Sequence, residues 1–120
     1  MTAAWQSYPG APDPGARICT LAEIGAAGVF PAYVAGFGIL VLYRRGAVSG
    51  FVNACPHQYL PLDHRASDIL TDDGARLVCS NHDATFDADS GAGIGGHGIG
   101  CNLDPIPLEI KDGAVLIART

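Results

Sequence analysis

Two short clusters constrain this chain more than anything else in it: Cys55-Pro56-His57 and Cys79-Ser80-Asn81-His82. Each sets one thiol beside one imidazole, as C-x-H and then C-x-x-H, with 21 residues between them. Thiolate and imidazole donors select iron–sulfur, zinc or copper over hard cations. An iron–sulfur site ligated by cysteine alone needs four cysteines at the cluster, whereas a [2Fe–2S] centre with two Cys on one iron and two His on the other takes the inventory found here. Zinc also accepts two Cys and two His. Its usual finger spacing, however, is C-x2–4-C with H-x3–5-H, and the mixed pairs of this chain fit that pattern poorly.

The rest of the chain bounds what can surround such a centre. Its 120 residues are 48% hydrophobic and 16% charged, with 16 Gly and 8 Pro. That size is one domain, and that profile suits short strands joined by tight turns rather than helices or disorder. A net charge of −5 argues against nucleic acid as a partner, because phosphate binding needs clustered Lys and Arg. Residues 1–15 lack a basic region followed by an apolar one, so no secretory signal is expected. The longest apolar piece, Gly36 to Tyr43, is strand-sized and far short of a membrane span. Expectation therefore falls on a cytoplasmic, membrane-free protein, monomeric in isolation. Of four cysteines, Cys19 and Cys101 stand outside the two clusters. Sequence does not settle whether they pair, and Cys101 reads as a small buried hydrophobe.

In chain order, residues 1–16 read as a loose leader rich in Ala, Pro and Gly, with Trp5 and Tyr8 as its possible anchors. Arg17 to Thr20 reads as a strand, Leu21 to Ile24 as a turn of helix, and Val29 to Val34 as an edge strand, the place where Pro31 is tolerated. Phe37 to Tyr43 is almost continuously apolar, as a strand covered on both faces is. Arg44-Arg45-Gly46 turns it into a partner strand over Ala47 to Val52, which runs into Cys55. A second hairpin, Ile69-Leu70 and Leu77-Val78 about an Asp73-Gly74 turn, delivers Cys79 and His82. A short strand starts over Ala84 to Asp87. Ile106 to Lys111 and Ala114 to Ala118 read as a final hairpin about Asp112-Gly113.

The stretch Cys55 to His82 resembles the Rieske iron–sulfur motif. It includes Leu62 after the first pair, His82-x-Ala84-x-Phe86-Asp87 after the second, and then Ser90-Gly91. From about Ile18 to Ala118 the chain resembles small Rieske-type ferredoxins and related bacterial Rieske proteins. The resemblance implies an all-β Rieske fold: an antiparallel β-sandwich base with an inserted small cluster-binding β subdomain. The domain would span 17–120, with the insertion at about 53–103. It also implies that Cys55 and Cys79 hold the inner iron and His57 and His82 the outer one, nearer solvent. Two ferric ions, two sulfides and two thiolates sum to zero charge, so an electron is added more easily than to a centre with four thiolates. The high-potential branch carries a further Cys on each ligand loop, bridged, and Ser and Tyr hydroxyls near the sulfurs. Here Leu60, Asn81, Ala84 and Phe86 stand at those positions, which places the resemblance with the low-potential, ferredoxin branch.

A third loop covers the cluster in this family, usually with Gly-Pro. The run here is Ile94 to Cys101, and His97 follows Gly96 where Pro is the rule. His97 is either a docking residue at the cluster rim or a solvated loop histidine. His64 sits in a polar turn and is expected on the surface. Gly91-x-Gly93-x-x-Gly96 matches a dinucleotide fingerprint as a string but lacks its strand and helix.

Neither a Ser/His/Asp arrangement nor a phosphate loop appears, and 120 residues leave no room for a second, mononuclear-iron domain. The expectation is a non-enzymatic one-electron carrier that passes electrons from a flavin reductase to a terminal oxygenase. An accessory Rieske subunit of a larger redox enzyme, nitrite-reductase-like or a multi-component oxidase, is the alternative. A zinc-binding interaction module is the remote one.

Overall fold

The computed structural model describes residues 4–25, 28–44, 46–54, 62, 69–71, 74–79, 84–95 and 102–118. Among them are ten strands, one short helix and one 3₁₀ turn. The chain divides into two compact units, residues 1–52 with 104–120, and residues 53–103.

The first unit is built on β3, Phe37–Arg44. Its run of apolar residues has no solvent-facing side: Ile39, Leu40, Val41 and Leu42 are all fully buried. It lies between β2 (Val29–Val34) and β4 (Ala47–Val52), and β8 (Pro105–Ile106) completes a four-stranded sheet in the order β2-β3-β4-β8. β2 is the edge strand, where Pro31 costs no ladder bond on the open side. Val34 pairs with Phe37, so Ala35-Gly36 forms a two-residue turn with φ of 50° and 85°. Positive φ at both positions gives the turn whose twist matches the flanking strands. Asp112-Gly113, with φ of 52° and 78°, repeats this between β9 (Leu108–Lys111) and β10 (Ala114–Ile117).

The second sheet of this unit has the order β1-β10-β9, with β1 at Arg17–Thr20. A strand continuous over Ile106 to Lys111 is not what forms. The chain breaks at Pro107, which has no N–H to donate to a ladder. Ile106 pairs with Gly50 in one sheet while Leu108 pairs with Ile117 in the other. The break lets one short stretch serve both layers. Where the layers meet, a Cβ on Gly50 would lie 2.6 Å from Leu108 Cδ1, so the missing side chain is the room that Leu108 fills. Between β1 and β2, Leu21–Ile24 form α1. Thr20 and Glu23 cap it reciprocally, each side chain taking the other's backbone N–H, and Ile24 is buried.

Within the stretch expected to be a loose leader, Ala4–Ser7 form a 3₁₀ turn against β8. Trp5 is only 2% exposed. Tyr8 sets its ring edge-on to Phe37, centroids 6.3 Å apart, and its hydroxyl donates to Asp104 Oδ2 at 2.6 Å. Two aromatic side chains are thus what hold residues 4–8.

The second unit contains a three-stranded antiparallel sheet of β5 (Arg76–Val78), β6 (Thr85–Asp87) and β7 (Gly93–Gly95), in that order. Gly93 to Gly95 is a strand, so Ile94 and Gly95, expected to open the third loop, belong to the sheet instead. No helix among the described residues is long and apolar enough to cross a membrane.

Candidate metal centre

Of the four candidate ligands, Cys79 lies among the described residues. Cys55, His57 and His82 lie outside them, as do His64, His97, Cys101, Leu60 and Asn81. Among the described residues no three His, Cys, Asp or Glu side chains come together as a metal site. The site is therefore built from the segments that carry its residues.

Cys79 follows β5 directly. Leu77 pairs with Phe86 and Val78 with Thr85, and the Cys79 N–H continues the ladder to the Ala84 carbonyl at 2.8 Å. Side chains alternate between faces along a strand. Leu77, Cys79, Ala84 and Phe86 therefore share one face, and all four are fully buried. The thiol sits at the end of a rigid ladder, on an apolar face closed to water. The same backbone bond, Cys79 to Ala84, closes the base of the segment that holds His82.

The segment with Cys55 and His57 leaves the end of β4 through Asn53. Asn53 Oδ1 accepts the Leu62 N–H at 2.8 Å, a buried bond across nine residues. Leu62 itself is fully buried. The segment with His97 leaves at Gly95 and returns at Asn102. Its base is closed by the Ala92–Asn102 bridge, by Leu103 N–H donating to the Gly91 carbonyl at 2.8 Å, and by Gly93 N–H donating to Asn102 Oδ1 at 3.2 Å. Motif residues Asp87, Ser90 and Gly91 do architectural work. Asp87 Oδ1 accepts from Asp89 and Ser90 N–H, and Gly91, at φ 79°, donates to the Asp87 carbonyl. They shape the turn from β6 to β7.

Cys19 belongs to the unit of residues 1–52 and 104–120. It is a free, buried thiol in β1, registered opposite Val115. Burial pushes its pKa up, the Glu23 carboxylate adds to the rise, and Arg17 opposes it. A thiol kept neutral in this way acts as a small hydrophobe.

Sequence reasoning passed over Asn53. Among the described residues it is the polar side chain that reaches the buried class. Its signal was faint: a carboxamide at a strand end reads as an ordinary turn residue.

The fold is all-β, and a buried thiol, Cys79, stands at the end of one of its strands. The chain belongs to the Rieske [2Fe-2S] domain family, whose model matches residues 16–100. Its cofactor is accordingly a Rieske-type [2Fe–2S] cluster, and the zinc reading of the same donors falls away. The donor set fits that group in number and kind, and Cys79 fits in placement.

Among curated proteins, the chain is similar to the alkene monooxygenase system ferredoxin component of Xanthobacter autotrophicus, 33% identical over 79 residues. The match takes in 66% of this chain and 60% of that protein. The chain thus spans about 60% of the length of the curated relative it matches.

Among solved structures, it is similar to the ferredoxin of carbazole 1,9a-dioxygenase from Nocardioides aromaticivorans IC177. The TM-score is 0.73 at 18% identity, over 90% of this chain and 100% of that one. It is also similar to the terminal oxygenase of carbazole 1,9a-dioxygenase from Novosphingobium sp. KA1. Here the TM-score is 0.74 at 20% identity, over 88% of this chain and 30% of that one. At such identities these likenesses speak to the fold.

Proposed function

We propose that this protein is a one-electron carrier that accepts electrons from a flavin-dependent reductase and delivers them to a terminal oxygenase. In this reading Cys55 and Cys79 bind the inner iron, and His57 and His82 bind the outer one. The observation that carries the reading is the identity to a ferredoxin component of an oxygenase system. The complete overlap with another oxygenase ferredoxin is consistent with it. When bound, the cluster supplies reversible one-electron chemistry at a potential set by its ligands and surroundings.

The residues of this chain set those surroundings. Full burial of Cys79 keeps water from its sulfur, and the β5–β6 ladder fixes where that sulfur stands. Ala84 and Phe86 line the same face with no hydroxyl to donate. A dry face held by the β5–β6 ladder limits rearrangement when charge changes, as a carrier requires. In this reading each ligating histidine binds through one ring nitrogen, and the other can hold or release a proton as charge changes. The carrier would work in the cytoplasm, as a monomer between encounters.

The test is spectroscopic and then functional. Purified protein should be coloured, contain two irons per chain, and give after reduction the paramagnetic resonance spectrum of a mixed Cys/His [2Fe–2S] centre. A flavin reductase with its nicotinamide cofactor should reduce it in solution, and a terminal oxygenase should reoxidise it. Colourless, iron-free protein carrying zinc would sink the reading. Recovery only within a permanent multi-subunit complex would favour the accessory-subunit alternative.

A further inference from the structure

A β protein with an apolar interior does not bury a carboxamide without a partner for it, because a polar group taken from water must be hydrogen-bonded. Asn53 is 6% exposed, and no buried side-chain polar atom among the described residues lacks a partner. The bond it makes is specific in place. Asn53 follows the last residue of β4, where Val52 N–H is tied to the Asp104 carbonyl at 2.9 Å. Leu62, nine residues on, is fixed by full burial. The Asn53 carboxamide joins these two anchored points, and Cys55 and His57 lie between them.

We propose that Asn53 is a positioning residue for the first ligand pair: by taking the Leu62 N–H it sets the ends of the segment that aims Cys55 and His57. The proposal rests on the reading of Cys55 and His57 as ligands. The other two segments are closed at their bases in other ways. The segment from Cys79 to Ala84 is closed by a backbone bond. The segment before Asn102 also uses a carboxamide across nine residues, but that bond is exposed, 3.2 Å long, and backed by a backbone bridge and the Leu103 bond. At Asn53 the bond is buried and shorter.

Three variants test this on the cluster-loaded protein. Asn53→Leu keeps the branching at Cγ and removes the acceptor. Asn53→Asp keeps an oxygen facing Leu62. Asn102→Ala removes the exposed counterpart. The readouts are the resonance spectrum of the reduced protein and the rate at which iron passes to a chelator. Asn53→Leu should shift or broaden the spectrum and release iron about 10-fold faster, the scale of one buried hydrogen bond. Asn53→Asp should restore the spectrum and stay within about 3-fold of wild type, and Asn102→Ala within about 2-fold. A wild-type spectrum and rate in Asn53→Leu, or an Asn102→Ala protein as impaired as Asn53→Leu, would overturn the proposal.

If Asn53→Leu does not assemble a cluster, amide exchange in the wild-type holoprotein decides. The Leu62 N–H should exchange slowly, and rapid exchange there would overturn the proposal. Cys55→Ala separates the two ideas. Loss of the cluster in that variant upholds the ligand reading, whereas a coloured, normal Cys55→Ala protein would remove that reading whatever Asn53 does.

Discussion

The two units are held together by different means. In the unit of residues 1–52 and 104–120, the principal strands run four to eight residues, and tight two-residue turns join two of the pairs. Its interior is filled by Ile39, Leu40, Leu42, Phe51, Val115 and Ile117, all essentially without exposure. In the unit of residues 53–103, the three strands are three residues each. Among the described residues, the bonds at the bases of its segments include two to carboxamides. Leu62, Ile69, Leu77, Phe86 and Leu103 are fully buried large side chains among its described residues, and the short strands alternate with the segments that carry the Cys/His pairs. The contrast teaches where the free energy of each unit comes from: apolar burial in one, and in the other a share that comes from metal ligation.

The largest effect that breaks the comparison is loss of a thiolate. Cys79→Ala should prevent cluster assembly, because a structural metal site couples ligation to local folding. Amide exchange should then show residues 53–103 unprotected, while β3, β4 and β10 remain as slow as in the holoprotein. Equal loss of protection in both units would show that they do not differ in this way. Retained colour in Cys79→Ala would remove Cys79 from the ligand set.

A smaller effect acts on the other side. Leu40 is fully buried in the central strand, and truncating a buried Leu to Ala costs about 2–5 kcal/mol. Leu40→Ala should lower the thermal midpoint of the holoprotein, yet leave the resonance spectrum below that temperature unchanged. A changed spectrum would mean that packing in the first unit reaches the metal centre.

The same contrast governs what could be read from the chain. Strands such as Val29–Val34 and Ala47–Val52 have the limits expected of them, because their periodicity and turn residues were visible along the sequence. The strand through Ile106 was not divided at Pro107. The apolar run spans the proline, and only the two-layer fold shows that its halves pair in different sheets. Gly93 to Gly95 went unread because glycine has no side chain to display alternation. The Cys/His pairs stood out in the sequence because ligation demands residue types that little else demands together, and of their members the described residues carry Cys79, at the end of β5. Asn53 did not, because its meaning lies in a bond to a backbone N–H nine residues away.

The smallest effect concerns the face that Cys79 shares with Ala84 and Phe86. Hydrogen bonds to cluster sulfurs favour the reduced, more negative state, so the lack of a hydroxyl on the Ala84 and Phe86 side chains favours a low potential. Rieske centres span about −150 to +300 mV. Wild-type protein is expected near the bottom, at about −150 to −50 mV. Cys79 stands opposite Ala84 in the ladder and Phe86 two residues further on, so Phe86 is diagonal to Cys79 on one face. Diagonal neighbours lie about 7–8 Å apart at Cα, within reach of an aromatic side chain. In Phe86→Tyr the new hydroxyl points along that buried face and can donate to a ligating sulfur. A net hydrogen bond of about 0.5–1.5 kcal/mol corresponds to a rise of about 20–60 mV, since 59 mV is tenfold for one electron. Ala84→Ser tests the nearer position in the same way. Protein-film voltammetry at neutral pH reads both. A Phe86→Tyr midpoint equal to wild type would show that the face does not reach a ligating sulfur. A wild-type midpoint above about +100 mV would show that donors other than these side chains set the potential, and the low-potential assignment would go.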